Sequence, residues 1–180
     1  ITNREHPTLL CVGNAPTIKE AVSPAISCIG SVLMSQMNNP GKATSVFMVD
    51  EFPTILLQGI DTFIGTARKH NVSTILAVQD FNQAVRDYGD KSANILKASC
   101  GTQAYGMTGN EKTAKDIENL FGEQKEAQES FSQQEGGGNS RTESLQKEKV
   151  LKAREVAGQS AGHFIGKIAG GKPPFFNVQM

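Results

Sequence analysis

The sequence predicts an α/β fold in which helices flank a mostly parallel β-sheet. Short apolar runs recur along the chain, and the segments between them carry apolar residues at helical spacing. Residues 46–49 and 72–78 are the two clearest runs, and polar residues follow each of them directly. Strands that alternate with helices indicate βαβ units, because parallel strands need a crossover connection between them.

Length and composition limit the classes of protein to which the chain can belong. Its 180 residues suffice for one domain with a hydrophobic core. Lys and Arg together number 18, as do Asp and Glu, which argues against a polycation that coats nucleic acid. Three scattered cysteines form no CxxC pair, which argues against a zinc site. Because the chain starts with Ile1 rather than Met, we expect a fragment or a processed product.

The first half of the chain alternates strands and helices. Residues 8–12 predict the first strand, and a helix then runs to about Met37, where the sequence Asn-Asn-Pro-Gly stops it. The continuous apolar run at 46–49 predicts a strand buried on both faces of the sheet. Apolar residues from Leu56 to Ala67 mark the next helix, and 72–78 form the third strand.

The second half continues the pattern and then changes composition. The predicted elements are helical segments near 81–87 and 92–97, a fourth strand at 102–107, a helix at 110–121, a short helix near 152–157 and a strand pair at 164–168 and 175–178. Residues 123–149 are rich in Gln, Glu and Ser and nearly lack apolar side chains, so we predict a mobile polar loop. The predicted division is therefore 1–122 with the main sheet, 123–149 as a flexible insertion, and 150–180 completing the same domain.

Two adjacent carboxylates, Asp50 and Glu51, follow the apolar run at 46–49. Because burying charge is costly, acids at the end of such a strand are expected to emerge into a site. Ligands of open parallel sheets bind beyond the carboxyl ends of the strands. The pattern has the form of a Walker B element, in which one carboxylate holds magnesium through water and the next orients the attacking water. The alternative is a strand end capped by two solvated acids.

Gln79 and Arg68 are two further candidate site residues. Gln79 ends the next predicted strand, so in a parallel sheet it lies near the tip that carries Asp50. There its amide could sense a γ-phosphate, or it could simply be a polar residue at a strand end. Arg68 lies in the last turn of the intervening helix, where a cation suits the helix dipole. It could instead reach the phosphates bound to a neighbouring subunit.

Several of these segments, taken in order, resemble the motor domain of conjugative coupling proteins of the TraG/TraD type. The resemblance extends from about Leu9 to Gly122 and is looser in the last strands. The matching segments are Val46-Phe-Met-Val-Asp-Glu-Phe-Pro-Thr54, Ile64-Gly-Thr-Ala-Arg-Lys-His-Asn-Val72, Ile75-Leu-Ala-Val-Gln-Asp-Phe-Asn-Gln83, Tyr88-Gly89 and Ile95-Leu-Lys-Ala-Ser-Cys-Gly-Thr102. This ordered set is far more specific than the Asp-Glu pair alone.

The resemblance implies a RecA-like DNA-translocating ATPase that binds ATP and Mg. Such proteins are homo-hexamers anchored at the bacterial inner membrane, with a cytoplasmic motor that couples the relaxase–DNA complex to a type IV secretion channel. The resemblance implies that Asp50 is the magnesium carboxylate, Glu51 the catalytic base, Gln79 the phosphate sensor and cofactor-binding residue, and Arg68 a finger acting in trans.

The sequence departs from a complete motor because it contains no GxxxxGK[ST] phosphate loop. The RecA-like fold is therefore expected to be incomplete, with the Walker A part upstream of Ile1 and no nucleotide tightly bound to the 180 residues alone. Two alternatives remain open. The chain could be a non-catalytic module that recognises relaxosome proteins, or part of a related DNA-translocating motor.

Overall fold

The computed structural model describes residues 5–13, 16–134 and 138–179. It contains two compact units, residues 1–100 and residues 101–180. The division after Gly122 stays a prediction, and residues 103–105 join the sheet of the C-terminal part. Within the described ranges, none of the helices combines the length and the apolar character that spanning a bilayer requires.

In its described residues, the first unit contains a parallel pair of strands with four α-helices. Its elements are α1 (Lys19–Met37), β1 (Ser45–Val49), α2 (Ile60–Ala67), β2 (Val72–Leu76), α3 (Phe81–Tyr88) and α4 (Asp90–Ser99). The two strands pair in register from Ser45 opposite Val72 to Val49 opposite Leu76. The helix between them supplies the crossover that parallel pairing requires, which confirms the predicted βαβ unit.

One face of the parallel pair forms the core of the first unit. Phe47, Val49 and Val72 alternate with exposed residues along their strands and are buried on this face. The ring of Phe47 meets that of Phe63 edge to face, with centroids 5.4 Å apart. Phe52 and Leu57 join this cluster from the segment after β1, and helices α1 to α4 supply its other members, which include Met34, Met37, Ile60, Ala67, Ala84, Ala93 and Leu96.

The opposite face of the same pair is exposed, which corrects the prediction of burial on both sides. Val46, Met48 and Ile75 are 61%, 64% and 47% exposed. An apolar run shows that a strand can be covered on both faces, but only packing decides whether it is. Residues 8–12, predicted as a further strand, form neither helix nor strand here, and Leu9 is 88% exposed.

The second unit has an antiparallel sheet. Its elements are β3 (Gln103–Tyr105), α5 (Glu111–Phe121), β4 (Glu123–Gln134), β5 (Gly138–Lys149), α6 (Ala153–Ala157), β6 (His163–Lys167) and β7 (Phe175–Gln179). Strand β6 lies between β3 and β7 and is antiparallel to both. The predicted parallel strand at 102–107 is therefore a short antiparallel one, because a run of residues does not specify its partner's direction. Buried residues of α5, α6 and β6 form a small core of Ala114, Ile117, Val156 and Ile165.

Strands β4 and β5 form a long two-stranded ribbon where the sequence predicts a polar loop. They pair antiparallel from Glu123 opposite Lys149 to Gln134 opposite Gly138. Such a pair satisfies the backbone N–H and C=O groups without apolar side chains, which is why composition did not predict it. Its predicted mobility remains a prediction.

Gly166 lets β3 and β7 approach β6 closely. A Cβ built at this position would lie 2.0 Å from the carbonyl oxygen of Gln103 and 2.6 Å from the ring of Phe176. This carbonyl group belongs to β3, and it cannot move away without breaking the hydrogen bonds between β3 and β6. Glycine is therefore required here by packing rather than by its φ angle.

We expect Gly166→Ala to destabilise the second unit by about 1–3 kcal/mol, because the added methyl group overpacks the sheet. Gly109→Ala is the matched control, since a Cβ at Gly109 meets no atom of the described structure within 4 Å. Denaturant unfolding of both variants measures the difference in their free energies of unfolding. Equal midpoints for the two variants would show that the sheet accommodates the methyl group.

Candidate functional site

The acidic pair forms a sharp corner where β1 ends. Asp50 is exposed and Glu51 is half-buried. The N–H of Glu51 donates to Oδ1 of Asp50 at 3.1 Å. The two carboxylates therefore leave the strand at its carboxyl end, where the sequence predicts them to emerge.

Glu51 has a left-handed backbone, with φ 50° and ψ 48°. This conformation costs roughly 1 kcal/mol for a residue with a Cβ, and it persists only where the surroundings enforce it. Here the carbonyl oxygen of Glu51 accepts the N–H of Thr54 at 2.8 Å, in a turn of 3-10 helix over Phe52–Thr54. Phe52 and Pro53 are buried in this turn, and their packing holds the corner in place.

Ala77 holds the corner to the neighbouring strand. Its N–H donates to the carbonyl oxygen of Val49 and its own carbonyl oxygen accepts the N–H of Phe52, both at 2.9 Å. Gln79 follows two residues later and is exposed. Asp50, Glu51 and Gln79 therefore lie at the same edge of the parallel pair, as the sequence predicts.

Arg68 lies at the opposite edge. The N–H of Asn71 donates to its carbonyl oxygen, and the N–H of Ser45, at the start of β1, donates to that of Asn71. The five residues of β2 separate this edge from the one that carries Gln79, roughly 16 Å at the rise of a strand. The structure thus does not bring Arg68 to the acids of its own chain, and action in trans stays a prediction.

Asp80, the residue after Gln79, caps the N-terminus of α3. Its Oδ1 accepts the N–H of Asn82 at 3.0 Å and the side-chain amide of Asn82 at 3.0 Å, which caps the first turn of α3. The carboxylate is therefore occupied at the helix terminus. Of the Gln-Asp pair, Gln79 remains the candidate for ligand contact.

The acids at the corner suit a magnesium ion that keeps most of its waters. Asp50 is exposed, and one of its oxygens already accepts the Glu51 N–H. In the described ranges, no three His, Cys, Asp or Glu side chains are grouped so that they could hold a metal ion. Magnesium is commonly bound by one or two carboxylates together with substrate phosphates, so the residues present fit this ion.

Tyr88 also contacts the segment after the corner, which motif reasoning did not single out. Its hydroxyl donates to the carbonyl oxygen of Ile55 at 2.7 Å and accepts the N–H of Leu57 at 2.9 Å. Burial raises the pKa of Tyr88, and the hydrogen bond from Leu57 only partly offsets this. The resemblance already contained the Tyr88-Gly89 pair, but sequence spacing could not show what the hydroxyl contacts.

The chain belongs to the TraG/TraD family: residues 44–160 match the family model described as the TraM recognition site of TraD and TraG. The family expected from the ordered motifs is thus confirmed. The matched range contains Asp50, Glu51, Gln79 and the ribbon of β4 and β5. A comparison with curated protein sequences found no match.

Solved structures with a similar fold include three of the coupling protein TrwB. The unbound monoclinic form of bacterial conjugative coupling protein TrwBdeltaN70 is 21% identical, with a TM-score of 0.78, over 91% of this chain and 38% of that chain. Plasmid coupling protein TrwB with the ATP analogue ADPNP is 21% identical, with a TM-score of 0.73, over 91% of this chain and 37% of that chain. TrwB with ADP and Mg2+ is 20% identical, with a TM-score of 0.72 and the same coverage of 91% and 37%. The likeness establishes the fold, and the chain spans less than two fifths of the TrwB chains.

We expect Glu51→Gly to be more stable than Glu51→Ala by about 1 kcal/mol, because only glycine adopts the left-handed backbone without strain. Both variants lack the carboxylate, so the comparison isolates the backbone. Urea unfolding measures the difference. Equal or greater stability of Glu51→Ala would show that the corner is not strained.

We expect the hydroxyl of Tyr88 to stabilise the chain at neutral pH and to lose this effect at alkaline pH. Since the folded pKa is raised, its contribution is complete below the ordinary tyrosine value of about 10 and is lost as the pH rises through the folded pKa. The measurement is the difference in unfolding free energy between the chain and Tyr88→Phe across this range. A difference independent of pH would contradict the prediction.

Proposed function

We propose that this chain is part of the motor domain of a conjugative coupling protein, in which Asp50 and Glu51 serve ATP hydrolysis that drives DNA transfer. The observation that carries this proposal is the acidic corner at the carboxyl edge of a parallel strand pair. Family membership and the TrwB fold support it. TrwB itself has been solved with ADPNP and with ADP and Mg2+.

The position of each residue supports the role proposed for it. Asp50 is exposed and would hold Mg through water, and the bound ion would neutralise charge on the phosphates. Glu51 would orient the attacking water and accept its proton, which requires a carboxylate held in one place. Gln79, three residues after β2 ends at Leu76, would donate its amide to the γ-phosphate.

Arg68 is proposed to act on the nucleotide of a neighbouring copy in a homo-hexamer. It is exposed and lies across the sheet from the acids of its own chain. We propose that the two edges face different neighbours in the ring, so that a cation at one edge meets the phosphates at the other. Such a cation stabilises charge in the transition state.

The proposed setting is the cytoplasmic side of a bacterial inner membrane, with an anchor elsewhere in the parent protein. The partners would be the relaxase and other relaxosome proteins, DNA, and components of a type IV secretion channel. The family description, a TraM recognition site, supports contact with a relaxosome protein.

A second candidate function is recognition of relaxosome proteins without catalysis. The same description favours it, because the matched range includes the second unit's ribbon as well as the acidic corner. In this case the parallel pair would serve only as a scaffold, and Glu51 would be dispensable.

Hydrolysis by a longer protein that contains this chain together with a phosphate loop separates the two functions. We expect Glu51→Gln to lower kcat by roughly 10²- to 10⁴-fold while nucleotide binding is retained, because the general base alone is removed. Glu111→Gln is the control, since Glu111 is an exposed glutamate paired with Lys115 in α5. Hydrolysis by Glu51→Gln at the rate of Glu111→Gln would overturn the motor function and leave recognition as the remaining candidate.

A further inference from the structure

Tyr88 contacts both ends of the short segment that follows Glu51. Its hydroxyl is hydrogen-bonded to Ile55 and Leu57, as donor at 2.7 Å and as acceptor at 2.9 Å. Its ring packs on Phe52, the residue directly after Glu51, with centroids 5.0 Å apart and planes inclined by 38°. One side chain thus tethers the beginning and the end of residues 52–57.

These contacts reach Glu51 through the backbone. Phe52 is 3% exposed, and its N–H is bonded to the carbonyl oxygen of Ala77. The following 3-10 turn closes with the N–H of Ile55 on the carbonyl oxygen of Phe52 at 3.3 Å, which is a long bond. The Tyr88 hydroxyl therefore fixes Ile55 where the turn's own hydrogen bonding is weakest.

A left-handed glutamate needs such external support. Strained conformations persist where the surroundings over-determine them, and a catalytic base loses efficiency when its carboxylate samples several positions. The backbone of Glu51 is held by Ala77 through Phe52 on one side and by the turn over Phe52–Thr54 on the other. Only the second of these constraints depends on Tyr88 through Ile55.

We propose that Tyr88 is a positioning residue that holds the carboxylate of Glu51 in place for hydrolysis. This inference rests on the proposed motor function. Tyr88 is also the last residue of α3, the helix that Asp80 caps directly after Gln79. The same helix therefore begins next to the predicted phosphate sensor and ends at the residue that positions the predicted base.

The test compares Tyr88→Phe with Tyr105→Phe in the longer protein that contains this chain together with a phosphate loop. Phenylalanine keeps the ring on Phe52 and removes only the hydroxyl. Tyr105 is the matched control because its hydroxyl is also half-buried and hydrogen-bonded, to Oε1 of Gln103 at 2.7 Å, but lies in the second unit. We expect Tyr88→Phe to lower kcat on the order of tenfold with KM unchanged, because positioning of the base affects the chemical step and not nucleotide affinity.

A readout independent of activity is hydrogen exchange of the Thr54 amide, which donates to the carbonyl oxygen of Glu51 in this turn, measured by NMR in the 180-residue chain. We expect faster exchange in Tyr88→Phe and no change in Tyr105→Phe, because the corner opens locally when the turn loses its tether. A fluorinated tyrosine at position 88, whose hydroxyl ionises at lower pH, serves if Tyr88→Phe does not fold. It should show the same losses only above its own pKa.

The outcomes separate failure of the inference from failure of the proposed function. If Glu51→Gln abolishes hydrolysis while Tyr88→Phe matches Tyr105→Phe in kcat and in Thr54 amide exchange, Tyr88 is not a positioning residue and the motor function stands. If Glu51→Gln hydrolyses normally, the motor function fails and the positioning role in hydrolysis fails with it. A rise in KM with kcat unchanged would assign Tyr88 to nucleotide binding and would also overturn the inference.

Discussion

The two backbone hydrogen bonds of Ala77 are the constraint on which the candidate site depends. Because Ala77 is bonded to Val49 before the corner and to Phe52 after it, the chain must leave and rejoin the neighbouring strand within two residues. Those two residues are Asp50 and Glu51. The left-handed backbone of Glu51 follows from this tight return, and so does the emergence of both acids at one sheet edge.

The corner consists of a strained, charged tip, Asp50 and Glu51, followed by the buried residues Phe52 and Pro53. Phe52 and Pro53, which follow Glu51 in the chain, are buried, whereas Asp50 is exposed, so the apolar residues provide the stability that the charged tip does not. This arrangement is typical of functional sites, where strain is maintained by the packing around it. Arg68 lies at the other edge, so the proposed reaction requires Arg68 from one copy of the chain and the acids from another.

Sequence patterns succeeded where the signal is local. Helix α5, the crossover through α2, and the common edge of Asp50 and Gln79 could all be predicted. Periodicity, capping residues and the parallel βαβ rule act over a few residues or one crossover. Sequence patterns did not predict the antiparallel position of β3, the β4–β5 ribbon or the exposure of Val46 and Met48. Each of these depends on which residues from elsewhere in the chain pack or pair with the segment.

By itself, the sequence determined the family, the strand that carries the acids, and the residues able to perform the proposed chemistry. Residue type and order are sufficient for these. Only the tertiary structure decided that Glu51 adopts a left-handed backbone, that Arg68 lies across the sheet, and that Tyr88 tethers the segment after the corner. These features arise from hydrogen bonds between residues about thirty positions apart, and the patterns that predict helices and strands do not extend that far.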